Sequence, residues 1–229
     1  MKRVLILILV LATLTPLSAR NLPSIDYKAY HFGFSLGFNV LDFGIIPSGK
    51  IVDGKVYNAD IESIIPGFSI GLLGDMRLNN YFSLRVTPTL MLSQRTLTFV
   101  NNIDDDTYKS RIKSTVITLP VYLKYQSVRI LDFRGYVMAG GGLFYDMTHD
   151  QTQAVLLHRY DAYWDVAVGA TFYMEYFRLS PELHFGMGMT NILTPLKERD
   201  GFVDPDYRKY NDALDKLTTR LFSITFNFE

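Results

Sequence analysis

Seven ionisable residues pose the chemical question. Asp75, Arg77, Arg85, Lys124, Glu175, Glu182 and His184 interrupt runs that are otherwise small and neutral. Glu175 and Glu182 flank a candidate hairpin and could approach each other as an acid/base pair, which requires that burial or a neighbour raise one carboxyl pKa. His149 with Asp150, and His158 with Asp161, are the positions where a hydrolytic histidine would sit, but no nucleophile motif accompanies either pair. Asp104, Asp105 and Asp106 offer oxygen ligands, yet the run lacks the glycine and distal glutamate of a calcium loop. The sequence therefore calls for no metal and no cofactor.

What these residues do depends on the elements that carry them. From Tyr30 to Leu41 the even positions Tyr30, Phe32, Phe34, Leu36, Phe38 and Val40 are large and apolar, while His31, Gly33, Ser35, Gly37 and Asn39 are small or polar. That is the period of a strand with two different faces. The same alternation marks Phe68 to Arg77, Phe82 to Ser93, Ile117 to Tyr125, Trp164 to Glu175, Leu179 to Thr190 and Phe222 to Phe228. Gly135 to Tyr145 is an eighth candidate, too rich in glycine for its faces to be assigned.

Most of these runs have the ~9 to 11 residues that a tilted strand needs to cross a bilayer. Connections after the second, fourth and sixth runs are short, and those after the first, third, fifth and seventh are long and polar, as in an outer-membrane barrel with both termini in the periplasm. Faces opposite the bulky residues hold mainly Gly, Ser, Thr and Asn rather than the Lys and Glu that a soluble sheet shows to water. Small residues suit the inside of a narrow tube, and Phe, Leu, Ile and Val suit hydrocarbon. The expected fold is all-β, an eight-stranded antiparallel up-and-down transmembrane β-barrel. Tyr27, Tyr30, Tyr81, Phe82, Tyr125, Phe133, Tyr136, Tyr176, Phe177, Phe226 and Phe228 cluster at the strand ends on the periplasmic side and suggest an interfacial girdle. Pro88, Pro120 and Pro181 fall inside strands, where a missing amide hydrogen suggests bulges or local irregularities.

Composition agrees with this class. The 229 residues carry 23 Lys plus Arg against 23 Asp plus Glu, so no basic footprint for nucleic acid exists. With 48% hydrophobic residues the chain is not a disordered polymer, and with no cysteine it has neither a disulfide framework nor a lipidated N-terminal Cys. Met1, Lys2 and Arg3 precede an apolar stretch from Val4 to Leu14, followed by Pro16, Ser18 and Ala19. This stretch falls short of the ~20 residues of a membrane span, and it reads as a signal peptide over 1–19 that is removed on export. Residues 20–229 then form the barrel domain, in the cell outer membrane.

Inside an eight-stranded barrel there is just room for side chains. The seven inward charges are therefore expected to pair as a structural layer in the lower tube, Asp75 with Arg85 first and the two glutamates with Lys124 or Arg85. A proton path, a small passive pore, or an outer-membrane lipid-modifying enzyme or protease using His149 or His158 stand as alternatives. The long loops carry further signals. Asp42 to Ile65 is more apolar than a free loop needs, and Leu193 to Leu217 has Tyr207, Tyr210, Leu214 and Leu217 at helical spacing; such residues fold over the mouth or contact another protein. Lys109, Arg111 and Lys113 are expected near the outer leaflet, where lipopolysaccharide phosphates would neutralise them.

The segments HFGFSLGFNVLDF, PGFSIGL, YFSLRVTPTL, STVITLPVYLKY, YVMAGGGLFYDM, FYMEYFRLSPELHFGMGM and LFSITFNFE together resemble the PorT family of Bacteroidetes outer-membrane barrels, from about Tyr30 to Glu229. The resemblance implies an accessory part in the type IX protein secretion system, linked to gliding motility, with no enzymatic activity and with other secretion-system proteins as partners.

Overall fold

Alternation becomes a closed wall in the computed structural model, which describes residues 28–47, 51–52, 55–61, 65–101, 107–148, 157–194 and 214–229. The strands are β1 (Tyr30–Pro47), β2 (Ile51–Val52), β3 (Lys55–Ile61), β4 (Gly67–Arg77), β5 (Phe82–Val86), β6 (Thr89–Asn101), β7 (Thr107–Gln126), β8 (Phe133–Asp146), β9 (Tyr160–Tyr173), β10 (Arg178–Gly188) and β11 (Leu214–Phe228). All pairings are antiparallel, and β1 pairs with both β11 and β4, so the sheet closes on itself. Nine strands make the ring, forming eight staves because β5 and β6 run on in one register: Val86 and Thr89 face Gly74 and Gly71 on β4, and Val121 and Thr118 on β7. Followed round the ring from Tyr125 through Val137, Val168, Leu183, Ile224, Phe38, Phe68 and Leu92, the pairing returns to β7 at Thr115, a stagger of ten residues. Closure with stagger leaves no sheet edge in hydrocarbon and tilts the strands.

The two faces separate as their residue types require. Phe32 and Leu72 are 77% and 66% exposed on the outside, whereas Ser35, Asn39, Ser69, Thr118 and Ser180 are buried within. An outer wall of such residues would be untenable in water and is matched to lipid. In β8, Tyr136, Met138 and Phe144 face inward and Val137 and Leu143 outward, which assigns the strand that composition left open. Among the described residues, no helix is long and apolar enough to cross a membrane.

Several expectations are corrected. The prolines make no bulge: Pro120 faces Gly142 and Pro181 faces Phe226 without any shift of register, and β5 and β6 keep theirs across Pro88. A stave flanked by two long neighbours is held in line even where one amide hydrogen is missing. The strands also run further than their alternation. β1 continues to Pro47, β6 to Asn101, and β7 and β11 begin at Thr107 and Leu214, so the apolar stretch from Asp42 is partly strand, with β2 and β3 beyond it. Leu214 and Leu217 lie in β11 rather than at helical spacing, and Leu217 is fully buried. The expected signal peptide over 1–19, Tyr27, Tyr207 and Tyr210 lie outside the described residues. Tyr136 leaves the girdle, because it is buried in the lumen.

The lumen is filled in two layers. On the extracellular side Leu41, Met91, Val116, Phe144, Tyr163 and Leu221 form an apolar cluster, with the rings of Phe144 and Tyr163 stacked 4.1 Å apart. Ile192, Leu193 and Leu157 are buried beyond it, and the Leu157–Leu193 bridge ties the two loop ends together. The lower lumen is polar.

Candidate functional site

Arg85 organises the polar layer. It lies on β5 directly opposite Asp75 of β4 and is completely buried. Its Nε and Nη2 donate to Asp75 Oδ2 at 3.0 and 2.8 Å, Nη2 also donates to Glu229 Oε1 at 3.0 Å, and Nη1 donates to Glu182 Oε1. Lys124 Nζ reaches Asp75 Oδ2 at 3.4 Å and sits 4.1 Å from the centre of the Tyr136 ring. Glu229 is shared with Arg178, whose Nη2 is 2.5 Å from its second oxygen.

A second arm leads up the tube. Tyr136 OH donates to Glu182 Oε1 at 2.5 Å, His184 places Nε2 3.0 Å from Glu182 Oε2 and Nδ1 2.9 Å from Asp165 Oδ2, and Tyr122 OH donates to that same Asp165 oxygen at 2.5 Å. The arm meets the apolar cluster at Tyr163, which the strand order places beside Asp165. Gly169 makes the arrangement possible. A Cβ there would stand 2.6 and 2.7 Å from Tyr136 Cζ and Oη and 2.8 Å from Glu182 Cγ, so the phenol can cross β9 only over a bare backbone.

Four carboxylates thus face Arg85, Lys124, Arg178 and His184 in a nearly dry interior. Burying such groups is costly unless each is paired and hydrogen-bonded, and here the pairing draws on six strands at once. The arrangement therefore cross-links the barrel wall. Among the described residues, its carboxylates are tied to cations or phenols.

Of the seven residues singled out by type, Asp75, Arg85, Lys124, Glu182 and His184 come together in this network. Arg77 and Glu175 do not. Arg77 closes the β4–β5 turn, donating from Nε to Asn79 O at 3.2 Å and from Nη2 to Asn80 Oδ1, and Glu175 is exposed in the β9–β10 turn. Arg77 is the last residue of β4 and Glu175 lies two residues past β9, at points where the chain turns and strict alternation no longer decides direction. Glu175 and Glu182 are accordingly not an acid/base pair.

Sequence reasoning passed over Tyr122, Tyr136, Asp165, Arg178 and Glu229. Alternation had already put Tyr122 and Asp165 on the polar face, so the signal was available; Tyr136 was hidden by the glycine-rich run, and Glu229 by its place beyond the last alternating pair. A smaller polar cluster caps the other end, where Arg95 Nη2 donates to Ser114 Oγ at 2.7 Å and lies 3.6 Å from Asp146, its guanidinium 4.4 Å from the Phe43 ring centre.

The histidine candidates do not assemble a site. His149, Asp150 and Asp104 to Asp106 lie outside the described residues. His158 is exposed and its backbone N donates to Ile192 O at 2.8 Å, while the Asp161 carboxylate is buried and accepts from Thr190 N and Oγ1 at 3.3 and 2.6 Å. Among the described residues, no group of three or more His, Asp or Glu could hold a metal ion.

Comparison with known proteins places this architecture. No curated protein matches the sequence. Solved structures with similar coordinates include Neisserial surface protein A, at 11% identity and a TM-score of 0.43, covering 87% of this chain and 98% of that one. Another is Ail, the attachment invasion locus protein of Yersinia pestis, solved with the heparin analogue sucrose octasulfate, at 10% identity and a TM-score of 0.39, covering 88% and 99%. The family described as outer membrane protein beta-barrel domain matches residues 18–194, which includes seven of the eight staves described above, and β11 supplies the eighth. The chain belongs to the outer membrane protein beta-barrel domain family, and its place is the outer membrane.

Proposed function

We propose that this barrel is a non-enzymatic accessory component of the type IX protein secretion system, with the link to gliding motility that such components have, and that it acts through its loops or its periplasmic rim. The observation that carries the non-conducting part of this reading is the filled lumen: Arg85, fully buried, is held by Asp75, Glu182 and Glu229, with an apolar layer above. A tube so filled has its rim and loops left for work. The type IX assignment is supported by the PorT-like segments alone. Lipopolysaccharide is the lipid partner this reading expects on the outer-leaflet side, where Lys113 of β7 is exposed.

Deletion of the gene tests the assignment. Export of secreted cargo should be lost while the permeability barrier of the outer membrane stays intact, and complementation should restore export. Normal export in the deletion strain would contradict it.

A further inference from the structure

The β7–β8 turn displays aliphatic side chains in a backbone that resists displaying them. Val128, Ile130 and Leu131 are exposed, Leu131 at 85%. Leu131 has φ 56°, the one positive φ at a non-glycine position among the described residues. Glycine would take that conformation freely, whereas a bulky residue there is an outlier worth explaining.

The turn is nonetheless fixed. Arg129 Nε donates to Leu131 O at 2.7 Å, its Nη2 pairs with Asp132 at 3.2 Å, and its guanidinium lies 3.8 Å from the centre of the Tyr173 ring. Ile130 and Phe133 exchange backbone hydrogen bonds of 2.9 and 3.0 Å, and Tyr173 N donates to Asp132 O at 2.9 Å. A clamped, strained turn that holds three aliphatic tips away from its own barrel points to something outside that covers them.

Continuity and chemistry identify the cover. The turn is continuous with the lipid-facing wall through Tyr125 and Phe133, both exposed, and the wall above it is dented where Gly135 and Ala170 stand among bulky neighbours. That dent is a groove of about 670 Å³ lined by Phe133, Val137, Val168, Leu183 and Phe226. Across the adjoining turn Tyr176 is 89% exposed. Arg129 and Arg134, both partly exposed, stand at the base of the turn. Aliphatic tips, exposed aromatics and arginines at one level make up the pattern of a segment lying in the headgroup region of a bilayer.

We propose that the β7–β8 turn is an interfacial anchor whose occupant is phospholipid of the periplasmic leaflet, with Val128, Ile130 and Leu131 at the boundary of headgroups and acyl chains and an acyl chain in the groove above. The anchor belongs to the β7–β8 turn, so it fixes the barrel's depth at that point of its circumference.

Trp164 is the single tryptophan, so a Trp164→Phe background carrying Leu131→Trp reports on the tip alone. The full chain is reconstituted into vesicles of phosphatidylethanolamine and phosphatidylglycerol doped with phosphatidylcholine brominated high or low on its acyl chains. The tip tryptophan should lose roughly half its emission to shallow bromines, less to deep ones, and little to aqueous acrylamide, as a residue at the interface does. Val128→Trp repeats the measurement on an unstrained backbone should the first variant not fold. Indifference to both bromolipids together with strong acrylamide quenching would place the tip in water, open to a protein partner, and overturn the proposal.

Discussion

Asp75 and Arg85 face each other in direct register across the β4–β5 hairpin, and the single oxygen Oδ2 receives both Nε and Nη2 of the guanidinium. The same guanidinium holds Glu182 from β10 and Glu229 beyond β11, so one residue ties together parts of the ring that are far apart in sequence. Removing it leaves three buried carboxylates each short of a partner, with Lys124 beside Asp75, His184 beside Glu182 and Arg178 beside Glu229. Arg85→Met should destabilise the folded barrel by about 3–5 kcal/mol, the cost of breaking a buried ion pair from one side. Urea unfolding in detergent, followed by the shift between folded and unfolded gel mobility, measures it. Replacing Arg85 together with Asp75 by apolar residues should cost less than the sum of the two single changes.

Gly169 and Tyr136 give a steric test of the same layer. Gly169→Val should cost about 1–3 kcal/mol, because the added atoms overlap the phenol and Glu182. Combining it with Tyr136→Ala should recover part of the loss, and a double-mutant cycle in detergent reads the coupling directly. Additive effects would mean that the ring does not lie over Gly169.

The apolar layer of Leu41, Met91, Val116, Phe144, Tyr163 and Leu221 sets the conductance expected of the purified chain. Planar bilayers should show no steady single-channel current. The double variant Leu41→Ser with Leu221→Ser should also stay closed, because Arg85 and its partners still fill the lower lumen. A stable open channel in the unaltered chain would restore the passive-pore alternative.

Pro88 removes one ladder donor from a stave whose register runs through it unbroken. Leu72 N donates to Pro88 O at 3.0 Å, and in a hydrogen-bonded antiparallel pair the return bond would run from residue 88 to Leu72 O. Pro88→Val supplies that missing donor on a lipid-facing position and should stabilise the barrel by about 0.5–1.5 kcal/mol. A loss of stability in the same unfolding assay would show that the proline is needed for its backbone angle instead.

The parts of the fold legible in sequence are those where the two sides of a strand meet different media. Across the bilayer, lipid lies on one side and a crowded lumen on the other, and Phe32 to Val40 record that contrast residue by residue. Beyond the membrane both sides are protein or water, the contrast fades, and the outer ends of β1, β6, β7 and β11 lose their signature although their ladders continue. The apolar layer was obscured for a related reason. Val40 and Leu41 are both apolar, one for lipid and one for the lumen, and a period of two cannot show both. The charged layer could be named by residue type, but its membership turned on where each strand ends. Arg77 is the last residue of β4 and Glu175 lies two residues past the end of β9, while Asp165, well inside β9, belongs to the network.

The central claim is that the bulky face of each strand touches lipid while the small face closes the lumen. The chain has no cysteine, so single cysteines at Phe32, Phe34, Ser35, Phe38 and Asn39 can be placed without background. In proteoliposomes, Phe32→Cys, Phe34→Cys and Phe38→Cys should resist a charged maleimide, because a thiol in hydrocarbon does not ionise. Spin-labelled in urea before refolding, they should meet dissolved oxygen but not a charged nickel chelate, whereas Ser35→Cys and Asn39→Cys should resist the maleimide and meet neither. Reaction of the three phenylalanine positions with the charged reagent in the folded protein would contradict the account.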